Sequence, residues 1–286
     1  MKRLLVLAVL WAFSSGYCFA DDRVLTLTFG GEERRLTAEE LLARPDVTDL
    51  KVPDDVAYRR DMTYRAVPLL SVLGGAIDED FHTIEARASD GFVTQIPSEV
   101  VKRGAQGGAV AWIAVEDPAK PWPLVPNRDV NAGPFYLVWQ DAKLPAISEE
   151  YWPFALVALS AADDPVKRWP ALAVDRSLAH DAPERTGQAV FVKNCLACHR
   201  LNGAGNTEMG PDLGLPMNVT QYMTDAGLRA LIRDPKAVRT WPLQQMEGFS
   251  EQAISNAELD GLVSYLAYMG KRKPEAKAVP ADQPAP

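Results

Sequence analysis

Cysteine is scarce in this sequence, three residues in 286, and histidine is equally scarce at three. One cysteine, Cys18, lies in a segment that reads as a secretory signal. Lys2 and Arg3 form its basic start, Leu4 to Phe13 its apolar stretch, and Cys18-Phe19-Ala20 its small-x-Ala cleavage site. A lipoprotein site wants a small residue before the cysteine, and Tyr17 stands there. After cleavage only Cys195 and Cys198 remain, which excludes a disulfide framework in the exported chain. Long hydrophobic runs are missing too. The leader's apolar stretch is about half of the roughly 20 residues a span needs, and the next candidate, Phe154 to Ala162, is no longer. The mature chain is expected to have no transmembrane segment. Basic charge is in deficit, 30 Lys and Arg against 38 Asp and Glu. The net charge of -8 makes a phosphate backbone or an anionic membrane a poor partner, so nucleic acid is set aside.

What is present is ordinary globular material, 47% hydrophobic and 24% charged, and long enough for two domains. Val24 to Phe29 alternates apolar and polar residues and runs into Gly30-Gly31, the pattern of a half-buried strand opening a hairpin. Thr37 and Glu40 have capping-box spacing before Leu41-Leu42, and Pro68 suits the first position of a short helix through Leu73. Thr83 to Ala88 and Phe92 to Ile96 flank an Asp90-Gly91 turn, and Ala109 to Val115 and Phe135 to Trp139 read as further strands. Residues 21–160 are therefore expected to form an α+β domain. Residues 161–183, with their prolines and charges, read as a linker packed on a domain surface. Residues 184–270 read as helical, and 271–286, with almost no large apolar side chain, as a disordered tail. The last helix has its own signals: Ser255 and Glu258 at capping-box spacing, a Leu259, Leu262, Val263, Leu266 stripe, and Gly270 as a stop.

The chemistry concentrates in Cys195-Leu196-Ala197-Cys198-His199, a C-x-x-C-H of the kind that attaches c-type haem covalently. One turn separates the thiols so that each reaches one vinyl group, and His199 falls under the iron. A zinc site would need a second cysteine pair that the chain lacks, and a redox dithiol would need a different fold around it. A single motif predicts one haem c per chain. The sixth iron position decides function, because a Met/His pair raises the potential and closes the iron for electron transfer. His82 and His180 lie outside the helical region, which leaves methionines. Met269 and Met209 read as packing residues. Met246, in a loop-like stretch from Trp241 to Phe249 before the last helix, is the leading candidate, with Met217 and Met223 as alternatives.

Residues 184–270 resemble a class I cytochrome c domain: Gly187 and Phe191 lead into Cys195 to His199, followed by Gly210-Pro211-Asp212-Leu213, the Met246 loop, and a last helix with Leu259, Leu262, Tyr265 and Leu266. The resemblance implies that the Pro211 carbonyl holds the His199 ring and that Gly187 lets Tyr265 approach. Many members of that family have proline after the ligand methionine, where this chain has Glu247. The first domain is similar to the molybdopterin-binding fold of the sulfite oxidase family. That similarity rests on Thr63 to Leu69, on Ser89-Asp90-Gly91-Phe92 with Ile96-Pro97, and on Gly133 to Trp139. Members of that family bind molybdenum through a cysteine thiolate, and residues 21–160 contain none. His82 beside Phe81 reads as structural. With 17 Lys and Arg against 27 Asp and Glu over residues 21–183, an acidic surface could steer a basic protein.

The implied function is a periplasmic electron carrier in a Gram-negative bacterium, passing single electrons between a dehydrogenase or oxidase and a respiratory acceptor, with the first domain as a docking module. Two readings compete with it: a molybdopterin-dependent oxidoreductase fused to its cytochrome, and a haem-based sensor with an exchangeable sixth ligand.

Overall fold

The computed structural model of the protein describes residues 23–78, 81–141, 147–207, 209–241 and 244–272. The signal segment 1–20 with Cys18, most of the expected tail, and Pro242-Leu243 of the Met246 stretch lie outside the described residues.

β1 (Val24–Phe29) buries Leu25, Leu27 and Phe29 on one face. Gly30 and Gly31 take positive φ, 59° and 78°, as a tight hairpin turn requires. β2 (Glu32–Thr37) returns as an exposed edge strand whose Glu32, Glu33, Arg34 and Arg35 discourage further pairing. Thr37 caps α1 (Ala38–Leu42) through the expected box: its N–H donates to Glu40 Oε2 at 2.7 Å, and the Glu40 N–H donates to Thr37 Oγ1 at 3.1 Å. β3 (Thr48–Val52) and β4 (Met62–Pro68) follow, then α2 (Leu69–Leu73), β5 (Thr83–Ala88), β6 (Val93–Pro97), α3 (Ser98–Lys102), β7 (Val110–Val115), β8 (Phe135–Gln140) and β9 (Leu156–Ala162). Pro68 is the N-cap of α2 and not its first helical residue, because it still ends β4 in extended conformation, ψ 129°.

Two sheets result, one ordered β2-β1-β9-β5-β6 and one ordered β3-β4-β7-β8. β9 pairs parallel to β1 and antiparallel to β5, so Phe154 to Ala162 supplies a central strand that ends two residues past the expected boundary at 160. One buried cluster joins both sheets, with Leu25, Ile84 and Leu159 from the first and Tyr64, Ile113 and Trp139 from the second.

The remainder is helical: α4 (Pro165–Arg168), α5 (Pro183–Asn194), α6 (Val219–Tyr222), α7 (Asp225–Arg233), α8 (Pro235–Val238) and α9 (Asn256–Gly270). Its core holds Phe191, Leu262, Tyr265 and Leu266, and is joined by Leu172 and Val174 from the segment before α5. The Tyr265 hydroxyl donates to the Leu172 carbonyl at 2.7 Å, which fastens that segment to α9. Ser255 and Glu258 form the α9 capping box. Gly270, expected as a stop, is the last helical residue and lacks a positive φ. A side chain there would lie 2.7 Å from Asn218 Cγ, so closeness to Asn218 is what requires glycine. Among the described residues no helix is long and apolar enough to cross a membrane.

Candidate functional site

α5 delivers the C-x-x-C-H. Its last turn continues past Asn194, with the Cys195 N–H donating to Phe191 O at 2.8 Å and the His199 N–H to Cys195 O at 2.8 Å. The Cys198 N–H also donates to Cys195 O, at 3.1 Å. These bonds place the two partly buried thiols one turn apart, with the His199 ring following directly.

The helix can sit where it does because of two glycines. At the crossing of α5 and α9, a Cβ on Gly187 would lie 2.0 Å from the Gly261 carbonyl oxygen and 2.5 Å from Tyr265 Cβ. One on Gly261 would lie 2.9 Å from the Pro183 carbonyl. Phe191 and Tyr265 then meet at 5.8 Å between ring centroids. The expected pairing of Gly187 with Tyr265 is present, and Gly261 is its second half.

His199 is fixed by the next segment. The Gly210 N–H donates to Cys198 O at 2.7 Å, and a Cβ on Gly210 would lie 2.6 Å from the imidazole. Pro211 O is 2.9 Å from His199 Nδ1. A carbonyl can only accept, so Nδ1 carries the proton and Nε2 keeps its lone pair for a metal. Burial pulls the His199 pKa below the ordinary value despite the opposing Pro211 bond, which favours the neutral, ligating ring. Asp212 holds this loop in shape by accepting from the N–H groups of Asn202 (2.9 Å), Gly203 (2.6 Å), Gly214 (2.8 Å) and Leu215 (3.0 Å). Asn202 and Asn218 in turn donate to the α9 carbonyls of Met269 (3.4 Å) and Leu266 (3.2 Å). Spacing alone does not reveal the roles of Asp212, Asn202 and Asn218, although an Asp directly after Pro211 and two residues before Gly214 is a turn signal.

The thiols are in a field that opposes thiolate. Burial first, and the nearby Glu150 carboxyl second, push the Cys195 thiol up to about 12 and raise Cys198 as well. Reactive redox dithiols need the opposite shift. Two thiols one turn apart, a neutral imidazole with a free Nε2, and a glycine cradle under the ring are a donor set that fits covalent haem.

The methionines separate by environment. Met269 is buried in the second core and Met223 packs against it, whereas Met217 is half exposed. Met209 and Met246 are half-buried, Met246 in the irregular stretch between α8 and α9. His82 Nδ1 pairs with Asp163 at 3.1 Å, and His180 is exposed.

The first domain touches this site directly, which nothing in the sequence indicated. The Val93 N–H donates to Ala197 O, inside the C-x-x-C-H, at 3.2 Å. Thr207 Oγ1 donates to Gly91 O at 3.1 Å, and Ser148 Oγ to the buried Asn194 Oδ1 at 3.0 Å. Glu85 accepts from Asn206 Nδ2 (2.9 Å) and from Arg168 Nη1 (2.8 Å).

Residues 185–270 match the family model described as cytochrome c. No curated protein matches the chain. The second domain is accordingly a cytochrome c domain, which implies covalently bound haem c, electron transfer and a protein redox partner.

Proposed function

We propose that the chain is an exported, periplasmic electron carrier that takes single electrons from a redox enzyme and passes them to a respiratory acceptor, with its first domain as the docking module. Haem c supplies a one-electron ferric/ferrous couple. The residues of the chain do the rest. Cys195 and Cys198 hold the group through two thioether bonds, one haem per chain, since the sequence has a single C-x-x-C-H. His199 would offer Nε2 to the iron, its ring oriented by the Pro211 carbonyl and the Gly210 cradle. Met246 would supply the second protein ligand to the iron, which favours electron transfer over binding of an added ligand. The observation that carries this reading is the His199–Pro211 bond beside two thiols one helical turn apart.

Docking by the first domain is supported by its contact with the Cys195–His199 segment and by its acidic surplus, which favours a basic partner. Its α+β architecture is compatible with the molybdopterin-binding fold of the sulfite oxidase family. The cysteine that would bind molybdenum has no counterpart, so the domain serves here without that chemistry.

The mature protein is tested by mass spectrometry after denaturation, by metal analysis and by near-infrared absorption. One haem adduct with no free thiol is expected, together with a weak methionine-to-iron band that Met246→Ala abolishes. A band that survives in Met246→Ala but not in Met217→Ala or Met223→Ala overturns the ligand assignment. Near-stoichiometric molybdenum overturns the carrier reading in favour of an enzyme.

A further inference from the structure

Glu247 follows Met246 directly, and its carboxylate crosses to the first domain. Oε2 lies 3.4 Å from Arg59 Nη2, and Oε1 lies 3.8 Å from Arg128 Nη2. Both arginines are held by their own domain. Arg59 also pairs with Glu149 at 2.9 Å, and the Arg128 guanidinium lies 5.3 Å from the Phe154 ring centroid. Arg59 adopts φ 52°, a left-handed backbone that a long side chain rarely takes, and such outliers are held in place only by their surroundings.

Among the described residues the stretch that carries Met246 has no regular structure between Val238 and Asn256, so its position depends on individual ties. On its C-terminal side it is fastened to the second domain. The Phe249 N–H donates to Ile232 O at 2.9 Å, and the Arg233 guanidinium donates to the carbonyls of Phe249, Ser250 and Ile254. Gly248 sits so close to Arg233 that a Cβ would lie 2.1 Å from its carbonyl oxygen. Met246 therefore lies next to two anchors: Gly248-Phe249 to its own domain and Glu247 to the other.

We propose that the first domain positions the axial-ligand loop through Glu247, with Arg59 and Arg128 as its partners, and so sets how firmly the Met246 thioether is kept at the iron. This rests on the assignment of Met246 as ligand. Glu247, Arg59 and Arg128 touch no reacting atom and act as positioning residues. Undocking the charges would remove the tie next to Met246 that reaches the first domain, and an added ligand would then compete more easily for the iron. The domain contact thus becomes a control on iron access as well as a mechanical one.

The test uses the full-length, haem-loaded protein. Imidazole is added to the ferric form at low and high salt, and the disappearance of the weak near-infrared methionine-to-iron band is timed. Glu247→Gln is expected to speed displacement about three- to tenfold at low salt, the range open to a pair of exposed ion pairs acting together. Wild type should approach the variant at high salt, because screening weakens the same pairs. Arg59→Gln/Arg128→Gln should reproduce the effect, and Arg65→Gln, which removes a pairing with Asp49 on the second sheet, should not. A merely structural role would not produce this salt dependence. Equal rates for wild type and Glu247→Gln at low salt overturn the positioning role while Met246→Ala still abolishes the band. If Met246→Ala retains the band, the ligand assignment fails and the positioning role falls with it.

Discussion

Replacing Gly187 by alanine sets two opposed effects against each other within one helix. Alanine favours the helical backbone over glycine by about 1 kcal/mol, so an exposed site in α5 would gain stability. At residue 187 the added methyl lies 2.0 Å from the Gly261 carbonyl oxygen and 2.5 Å from both the Gly261 carbonyl carbon and Tyr265 Cβ. Comfortable contact needs roughly 3.5 Å, so α5 and α9 must part by roughly 1.5 Å. None of these atoms can turn away as a side-chain tip could. Parting the helices also loosens the Phe191–Tyr265 contact and pulls on the bond from Tyr265 to Leu172. Overpacking of this kind costs roughly 1–3 kcal/mol and more when backbone is the obstacle, so the steric effect wins. The expected net loss is about 2 kcal/mol, or a fall of roughly 8–16 °C in Tm for a cooperative unit the size of the second domain. Thermal unfolding followed by far-ultraviolet dichroism and by haem absorbance measures it. Gly75→Ala serves as control, since a Cβ there meets nothing within 4 Å. A Gly187→Ala protein as stable as wild type would refute the close approach of the two helices.

Two further outcomes follow from the domain contact. Glu85→Ala removes the acceptor shared by Arg168, Asn206 and the buried Gln95; a loss of about 2–4 kcal/mol is expected in urea unfolding, and a change under 0.5 kcal/mol would count against the shared acceptor. Burial, with the Glu149 and Glu247 carboxylates adding to it, pushes Glu150 up to about 8, so between the ordinary carboxyl value and about pH 8 the folded protein binds a proton that the unfolded chain releases. Stability should therefore fall as pH rises from about 5 to about 9, and less steeply in Glu150→Gln; parallel urea-midpoint profiles for the two proteins would contradict this.

The sequence and the structure agree where the signal is local. Capping boxes at Thr37 and Ser255, the Gly30-Gly31 and Asp90-Gly91 turns and the Cys195–His199 spacing depend on residues within a few positions of one another. The His199–Pro211 and Gly187–Tyr265 contacts lie further apart, and it was the family resemblance, not spacing, that exposed them. In the sequence β9 is only an apolar stretch. Its partners, β1 and β5, are more than sixty residues away, and parallel pairing leaves no turn to mark it. β3 escapes notice because it is short and only Leu50 and Val52 mark its buried face, opposite the charged Asp49 and Lys51. α7 went unremarked although Thr224 caps it and Leu228 and Ile232 share a face, a signal that was available. Gly270 misleads because a glycine at a helix end looks the same whether it reverses the chain or lets Asn218 in. The domain contact had no signature at all: Glu85, Asn206 and Glu247 are polar residues whose partners lie on another part of the chain.

The placement of β9 bears on the order in which the molecule can be assembled. Residues 24–29 and 83–88 are synthesised early, yet they are joined in their sheet only through residues 156–162, which lie between them. Until that stretch emerges, both strands have an unpaired edge with open N–H and C=O groups, the surface most prone to wrong association. The last strand of the first domain then closes the sheet before α4, α5 and the haem-binding residues are made. A fragment ending ahead of residue 156 is thus a sheet with its middle missing, and any separation of the two halves for study belongs after Ala162.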